Sequence, residues 1–171
     1  MFKFSTKKLA ALALLIAIEV VLSRFLSFST PIVKIGFAFL PVALAGMMYG
    51  PLWGAVVGGL GDFLGAIMFP IDSYLPALTV TAALSGLVYG LFLYKHNSWP
   101  RIILAVLTVS IALHLFLDTY WLMGFFNTTY WALLPTRIVK AVIMSPVQVA
   151  LIRLLSVRLR VIPFAQGGLP T

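Results

Sequence analysis

The sequence predicts an all-α integral membrane protein of six transmembrane helices. Three observations predict it. Only 9% of the 171 residues are charged and 62% are hydrophobic, whereas a soluble domain carries about 25% charged residues. The apolar residues form six runs with short joints, several near the ~20 residues that cross a hydrocarbon core. The charges are also sorted by sign: the four acids, Glu19, Asp62, Asp72 and Asp118, fall toward one side of a six-span reading, and the other side holds only cations.

The elements follow in order. A first span runs from about Leu9 to Phe28. The leading MFKFSTKK resembles a signal peptide, but no small-residue cleavage site with a polar sequel follows, so the run reads as an uncleaved span. A short second span covers Ile35 to Tyr49, and the Gly50–Pro51 break starts a third from Leu52 to Phe69. Pro70–Ile71–Asp72–Ser73 separates it from a fourth, Leu75 to Tyr94. The fifth extends from about Ile102 to Phe125, and the sixth from about Trp131 to Leu155 with Pro135 and Pro146 inside. Short joints throughout imply a single transmembrane domain over residues 1–171.

Six crossings place both termini on one side, together with Lys3, Lys7, Lys8, Lys95, Arg101, Arg153, Arg158 and Arg160. The positive-inside rule makes that side cytoplasmic. Arg24, Lys34, Arg137 and Lys140 remain for the outer half. A five-span model would put Arg153, Arg158 and Arg160 outside, against the rule.

Several functions are disfavoured. The net charge of +8 flanks apolar runs instead of forming a stripe on a polar face, which argues against nucleic acid. Without cysteine there are no disulfides, thiolate chemistry or cysteine-held metals. There is no G-x-x-x-x-G-K-[ST], H-E-x-x-H or G-x-S-x-G, and His96 and His114 fall on opposite sides of the bilayer. No cofactor or metal is expected, and ATP hydrolysis is not expected of this chain.

Lipid gives helices no hydrophobic reason to associate, so small residues mark contact faces. Gly54, Gly58, Gly61 and Gly65 draw one stripe along span three, with Gly46 and Gly50 on span two and Gly86 and Gly90 on span four. Internal packing is the default reading for these. Ala10, Ala13 and Ala17 form a comparable stripe on span one, and that face could equally receive another protein.

Arg137 and Lys140 share a face near the outer end of span six. The arginine fork matches a carboxylate, so both are candidate ligand holders, against a default of snorkelling to lipid phosphate. Arg24, at the end of span one, is a second carboxylate holder or an interfacial anchor. His114, Asp118 and Trp121 share a face of span five. They form a polar ledge with an aromatic wall, where Asp118 could accept bonds from an amino-substituted heterocycle. They could equally be a self-satisfied pair or an acid–base pair. Asp62, inside the glycine stripe, must have a polar partner: a ligand, an arginine or a lysine. Phe39, Phe63 and Tyr120 belong to a rich aromatic set that suits a flat ring or an interfacial belt. The outer cations suggest an anionic ligand.

The stretch GFAFLPVALAGMMYGPLWGAVVGGLGDFLGAIMFP, with LTVTAALSGLVYGLFLY and LLPTRIVKAVIMSPVQVALI, resembles the S components of energy-coupling factor vitamin transporters, most closely the folate-specific branch. GDFLGA and PTRIVK are the most specific pieces. The resemblance implies a non-enzymatic vitamin binder of the bacterial plasma membrane, open to the outside. It would work with a transmembrane scaffold subunit and two cytoplasmic ATPases. Ala13 and Ala17 match the family's scaffold-contact pattern. The pterin of folate would lie among Trp121 and Phe63 with Asp62 or Asp118 at its polar edge, and its glutamate tail would face Arg137, Lys140 or Arg24. The open alternatives are another carboxylate vitamin such as pantothenate or biotin, a small membrane enzyme using His114 and Asp118, and a pore or scaffold subunit.

Overall fold

A computed structural model describes residues 6–29, 34–70, 74–95, 98–126 and 129–161. Lys3, Asp72 and His96 lie outside the described residues, as do the side chains of Lys34, Phe126, Tyr130 and Arg160. The described helices are α1 (Thr6–Arg24), α2 (Phe39–Tyr49), α3 (Pro51–Met68), α4 (Pro76–Leu93), α5 (Trp99–Thr108), α6 (Asp118–Phe126) and α7 (Tyr130–Val161). A π-helical stretch, Val109–Leu117, joins α5 to α6 without a break, so these three form one rod and the bundle has six.

The ends of the first two predicted spans are corrected. Residues 27–28 and 35–36, expected at the end of the first span and the start of the second, belong instead to strands β1 (Ser27–Ser29) and β2 (Lys34–Gly36). They pair antiparallel, with Phe28 opposite Ile35. Pairing satisfies backbone groups that have no helical partner at these ends. Gly36 is required by the close approach: a Cβ there would meet Ser27 Cβ at 2.5 Å. The second span thereby shrinks to the 11 residues of α2, ~16 Å of helix, about half the hydrocarbon core.

Among the described residues, four helices are long and apolar enough to cross a membrane: 51–68, 76–93, Trp99–Phe125 and Leu133–Arg158. α1 is 19 residues long and carries Lys7, Lys8, Glu19 and Arg24. Large apolar side chains such as Ile67, Leu91, Leu104 and Val142 stay more than half exposed on the outside of the rods. Such a surface suits lipid as solvent, where the backbone is satisfied within each helix.

The rods alternate in direction. Lys8 lies 4.5 Å from the Trp53 ring centroid and 5.4 Å from that of Tyr49. The start of α1, the end of α2 and the start of α3 therefore share one end of the bundle. Gly90 packs on Pro51, and Arg153 lies 5.2 Å from the Trp99 ring centroid, which brings the ends of α4 and α7 and the start of α5 there too. The described cations of the predicted cytoplasmic set sit at this end. Its aromatic partners are of the interfacial type.

The apolar core fills the basic half, with Leu12, Leu15, Tyr89, Leu93, Ile102, Val106 and Ile152 buried together. The other half carries the ionic groups. The glycines set the closeness of α2, α3 and α4. Gly54 and Gly86 face each other's carbonyl oxygens with no room for a Cβ on either side, and Gly46 lies against the Gly90 main chain. Gly50, at φ +96°, makes the one-residue turn between α2 and α3 that a side chain would strain, and Pro51 starts α3 at a position that needs no N–H partner.

Candidate ligand-binding site

Two ionic clusters occupy the half opposite the basic end. The first joins α1, α3 and α4. Arg24 Nη2 lies 3.9 Å from Asp62 Oδ1 and donates to the Asp62 carbonyl at 3.4 Å. Thr79 Oγ1 donates to Asp62 Oδ2 at 2.7 Å and is 3.2 Å from the Tyr74 hydroxyl. The glycine stripe has a second task here. A Cβ at Gly61 would collide with the buried Glu19 carboxylate, and one at Gly65 would meet Arg24 Nε at 2.9 Å. Gly54 and Gly58 thus admit the α4 backbone, while Gly61 and Gly65 admit polar side chains of α1.

The second cluster joins the π stretch, α6 and α7. His114 Nδ1 and Asp118 Oδ2 are 2.8 Å apart. Arg137 Nη1 donates to the His114 carbonyl at 2.9 Å and lies 4.0 Å from Asp118 Oδ2. A π stretch breaks the regular i→i−4 ladder and is a common feature of functional sites; here it contains His114, whose carbonyl takes the bond from α7. Both Asp118 and Arg137 are more than nine-tenths buried. Among the described residues, Asp118 Oδ1 and Trp121 Nε1 are buried with no hydrogen-bond partner. An orphaned buried acceptor and donor each cost about 1–3 kcal/mol. Their occurrence three residues apart on one helix face marks a place that a polar ligand would complete.

The remaining predicted residues spread out. Lys140 is half-buried one turn beyond Arg137. Phe63 packs edge-on to Tyr74 at 6.2 Å and stays 40% exposed. Phe39 packs against the apolar core. Tyr120 is 59% exposed and lines a shallow outer groove with Ala112, Phe116 and Leu117, so it belongs to neither cluster. Ala10, Ala13 and Ala17 are exposed along the outer face of α1, between Leu9, Leu14 and Ile18.

Sequence reasoning left two features out. Thr79 carries no signal of its own, since its role depends on Asp62 sitting opposite on α3. The His114 main-chain carbonyl cannot be singled out by residue type. The sequence offered Arg24 and Arg137 as outer cations for an anionic ligand and an arginine among the partners of Asp62; in the structure Arg24 stands by Asp62 and Arg137 by Asp118. At 3.9 and 4.0 Å neither pair has closed to the ~2.8 Å of a charge-assisted hydrogen bond.

By class, this is a polytopic helical membrane protein whose apolar core lies in one half and whose buried ionic groups lie in the other. The chain belongs to the family described as ECF transporter, substrate-specific component, whose model matches residues 7–156. It is 41% identical over 142 residues to the folate transporter FolT of Clostridium novyi, covering 82% of this chain and 83% of that protein. It is 33% identical to FolT of Leuconostoc mesenteroides over 156 residues, 87% and 84% of the two chains. A crystal structure of FolT bound with folic acid superposes with a TM-score of 0.82 at 38% identity, covering 88% of this chain and 91% of that one. The S component for biotin of an ECF-type ABC transporter shares the fold, with a TM-score of 0.67 at 20% identity over 88% and 90% of the chains. The chain is thus a transporter component and a membrane protein, and the enzyme reading of His114 and Asp118 gives way.

Proposed function

We propose that this chain is the folate-binding membrane subunit of an ECF-type importer. One observation carries the reading at the level of residues: among the described residues Asp118 Oδ1 and Trp121 Nε1 are buried without partners, and Asp118 stands beside Arg137. An amino-substituted pterin can donate to Asp118, and its ring oxygen can accept from Trp121. Asp62 is already engaged by Thr79 and Arg24, so Asp118 is the better acceptor for the ring. Arg137, with Lys140 a turn away, takes the glutamate tail, and Arg24 is the reserve carboxylate holder. Phe63 and Phe39 contribute aromatic surface. Relatives named as folate transporters, at 41% and 33% identity, support folate over pantothenate or biotin.

The basic end faces the cytoplasm with both termini, and the ionic half opens outward in the plasma membrane. The exposed alanine face of α1 docks on a transmembrane scaffold subunit, and two cytoplasmic ATPases supply the energy. Titrating purified protein with folic acid while following tryptophan fluorescence tests the ligand. Saturable quenching at submicromolar concentration is expected, and its absence sinks the folate reading.

A further inference from the structure

His114 makes two contacts that face different partners. Its ring engages Asp118 Oδ2 at 2.8 Å, and its carbonyl accepts from Arg137 Nη1 at 2.9 Å. Asp118 and Arg137 carry opposite charges, are both buried, and stand 4.0 Å apart. Left to themselves, such a pair would close into a two-bond fork, the strongest geometry open to arginine and carboxylate. Closure would consume the carboxylate edge and the guanidinium that the proposed ligand needs. The histidine opposes it from both sides: its ring takes one acceptor site of the near oxygen, and its carbonyl takes one N–H of the near nitrogen. Asp118 Oδ1 is left buried and without a partner among the described residues.

We propose that His114 is a positioning residue that keeps Asp118 and Arg137 from closing on each other and so holds Asp118 Oδ1 open to an amino donor of the ligand. The ligand part rests on the folate reading above; the spacer part does not. Among the described residues, the charged groups in contact with His114 are Asp118, on its ring, and Arg137 of α7, on its carbonyl. α4, which also packs here, carries no charged residue.

The test uses the full chain, two variants and two ligands. His114→Ala should weaken folic acid about ten- to a hundredfold, the range for a hydrogen bond that depends on a charged partner. It should weaken the 2-desamino analogue by a factor at least about threefold smaller, because that ring lacks the donor for Asp118 and can lose only the tail contact to Arg137. His114→Asn places an N–H near the Nδ1 position and should return folic acid affinity to within about threefold. Equal losses for both ligands would reveal a merely structural role and overturn the proposal, as would no loss for either. A ligand-free structure of His114→Ala gives the independent readout. The Arg137–Asp118 separation should fall from 4.0 Å to hydrogen-bond distance, below about 3.2 Å; a pair that stays apart refutes the spacer. A wild-type chain that ignores folic acid would sink the folate reading, while this distance would still decide the role of His114.

Discussion

The α2–α3–α4 layer and the two rods that follow it are held together in opposite ways. In the layer, backbone meets backbone: Gly54 against Gly86, Gly46 against Gly90, Gly90 against Pro51. Between the later rods, contact runs through side-chain hydrogen bonds, Ser145 to Ser110 at 3.3 Å and Arg137 to the His114 carbonyl at 2.9 Å. Gln148 reaches back to Tyr89 of α4 at 3.4 Å. A backbone contact has no rotamer to yield, so the layer is rigid. Side-chain bonds can be exchanged for bonds to a solute. Asp118 Oδ1 and Trp121 Nε1, buried without a partner among the described residues, lie in the exchangeable region, which is where the proposed ligand would find bonds to take.

The largest effect should come from breaking the layer. Gly86→Val puts branched carbon into the space of the Gly54 carbonyl. No flexible side chain stands there to give way, so the cost should exceed the usual ~1–3 kcal/mol of overpacking. Loss of the monodisperse peak in size-exclusion chromatography, with no recovery on adding folic acid, is the expected result. A stable, folded Gly86→Val protein would show that the layer is not rigid.

Arg137→Gln should come next and act on binding. It removes the buried cation beside Asp118 and the proposed grip on the glutamate tail. Folic acid affinity should fall at least about a hundredfold. A loss under about threefold would move the tail elsewhere, with Arg24 the first candidate.

How much of this was legible beforehand differs between the same two regions. The third and fourth spans agree with α3 and α4 to within one residue at each end, because Gly50–Pro51 and the proline before Ala77 punctuate the chain locally. The glycine stripe gave the contact face, yet not that Gly61 and Gly65 serve Glu19 and Arg24. That depends on α1 lying parallel to α3, a fact of packing. His114 and Asp118 were readable as an i,i+4 pair. The Arg137 bond to the His114 carbonyl was not, since it ends on main chain and requires the π stretch. That stretch, VSIALHLFL, has the same apolar pattern as ordinary membrane helix, so no residue announces it. The β1–β2 hairpin was missed for a related reason: pairing of Ser27 with Gly36 is a relation between two segments, and neither segment shows it alone.

A smaller effect is expected from Asp62→Asn, which should sharpen the division by acting on stability more than on binding. The amide keeps an acceptor for Thr79 but loses the charge facing Arg24, a pair part-exposed at 11% and 21%. Partly screened pairs of this kind contribute about 1 kcal/mol, or roughly 2–4 °C in a melt of detergent-solubilised protein of this size. Folic acid affinity should stay within about threefold of wild type. A hundredfold loss would make Asp62 the ring acceptor in place of Asp118.

The gentlest test sits in the exchangeable region. Gly124, on α6, has nothing within 4 Å of where a Cβ would stand. Glycine inside a helix costs about 0.8–1 kcal/mol relative to alanine. Gly124→Ala should therefore leave the melting temperature unchanged or raise it by a few degrees, while folic acid binding stays as it is. The same one-carbon addition at Gly54 meets the Gly86 carbonyl and should destabilise. The pair isolates the cause, because the added atom is identical and only the neighbours differ. If Gly124→Ala destabilised as much as Gly54→Ala, glycine in this bundle would be serving backbone flexibility everywhere, and the distinction between a rigid layer and an exchangeable one would fail.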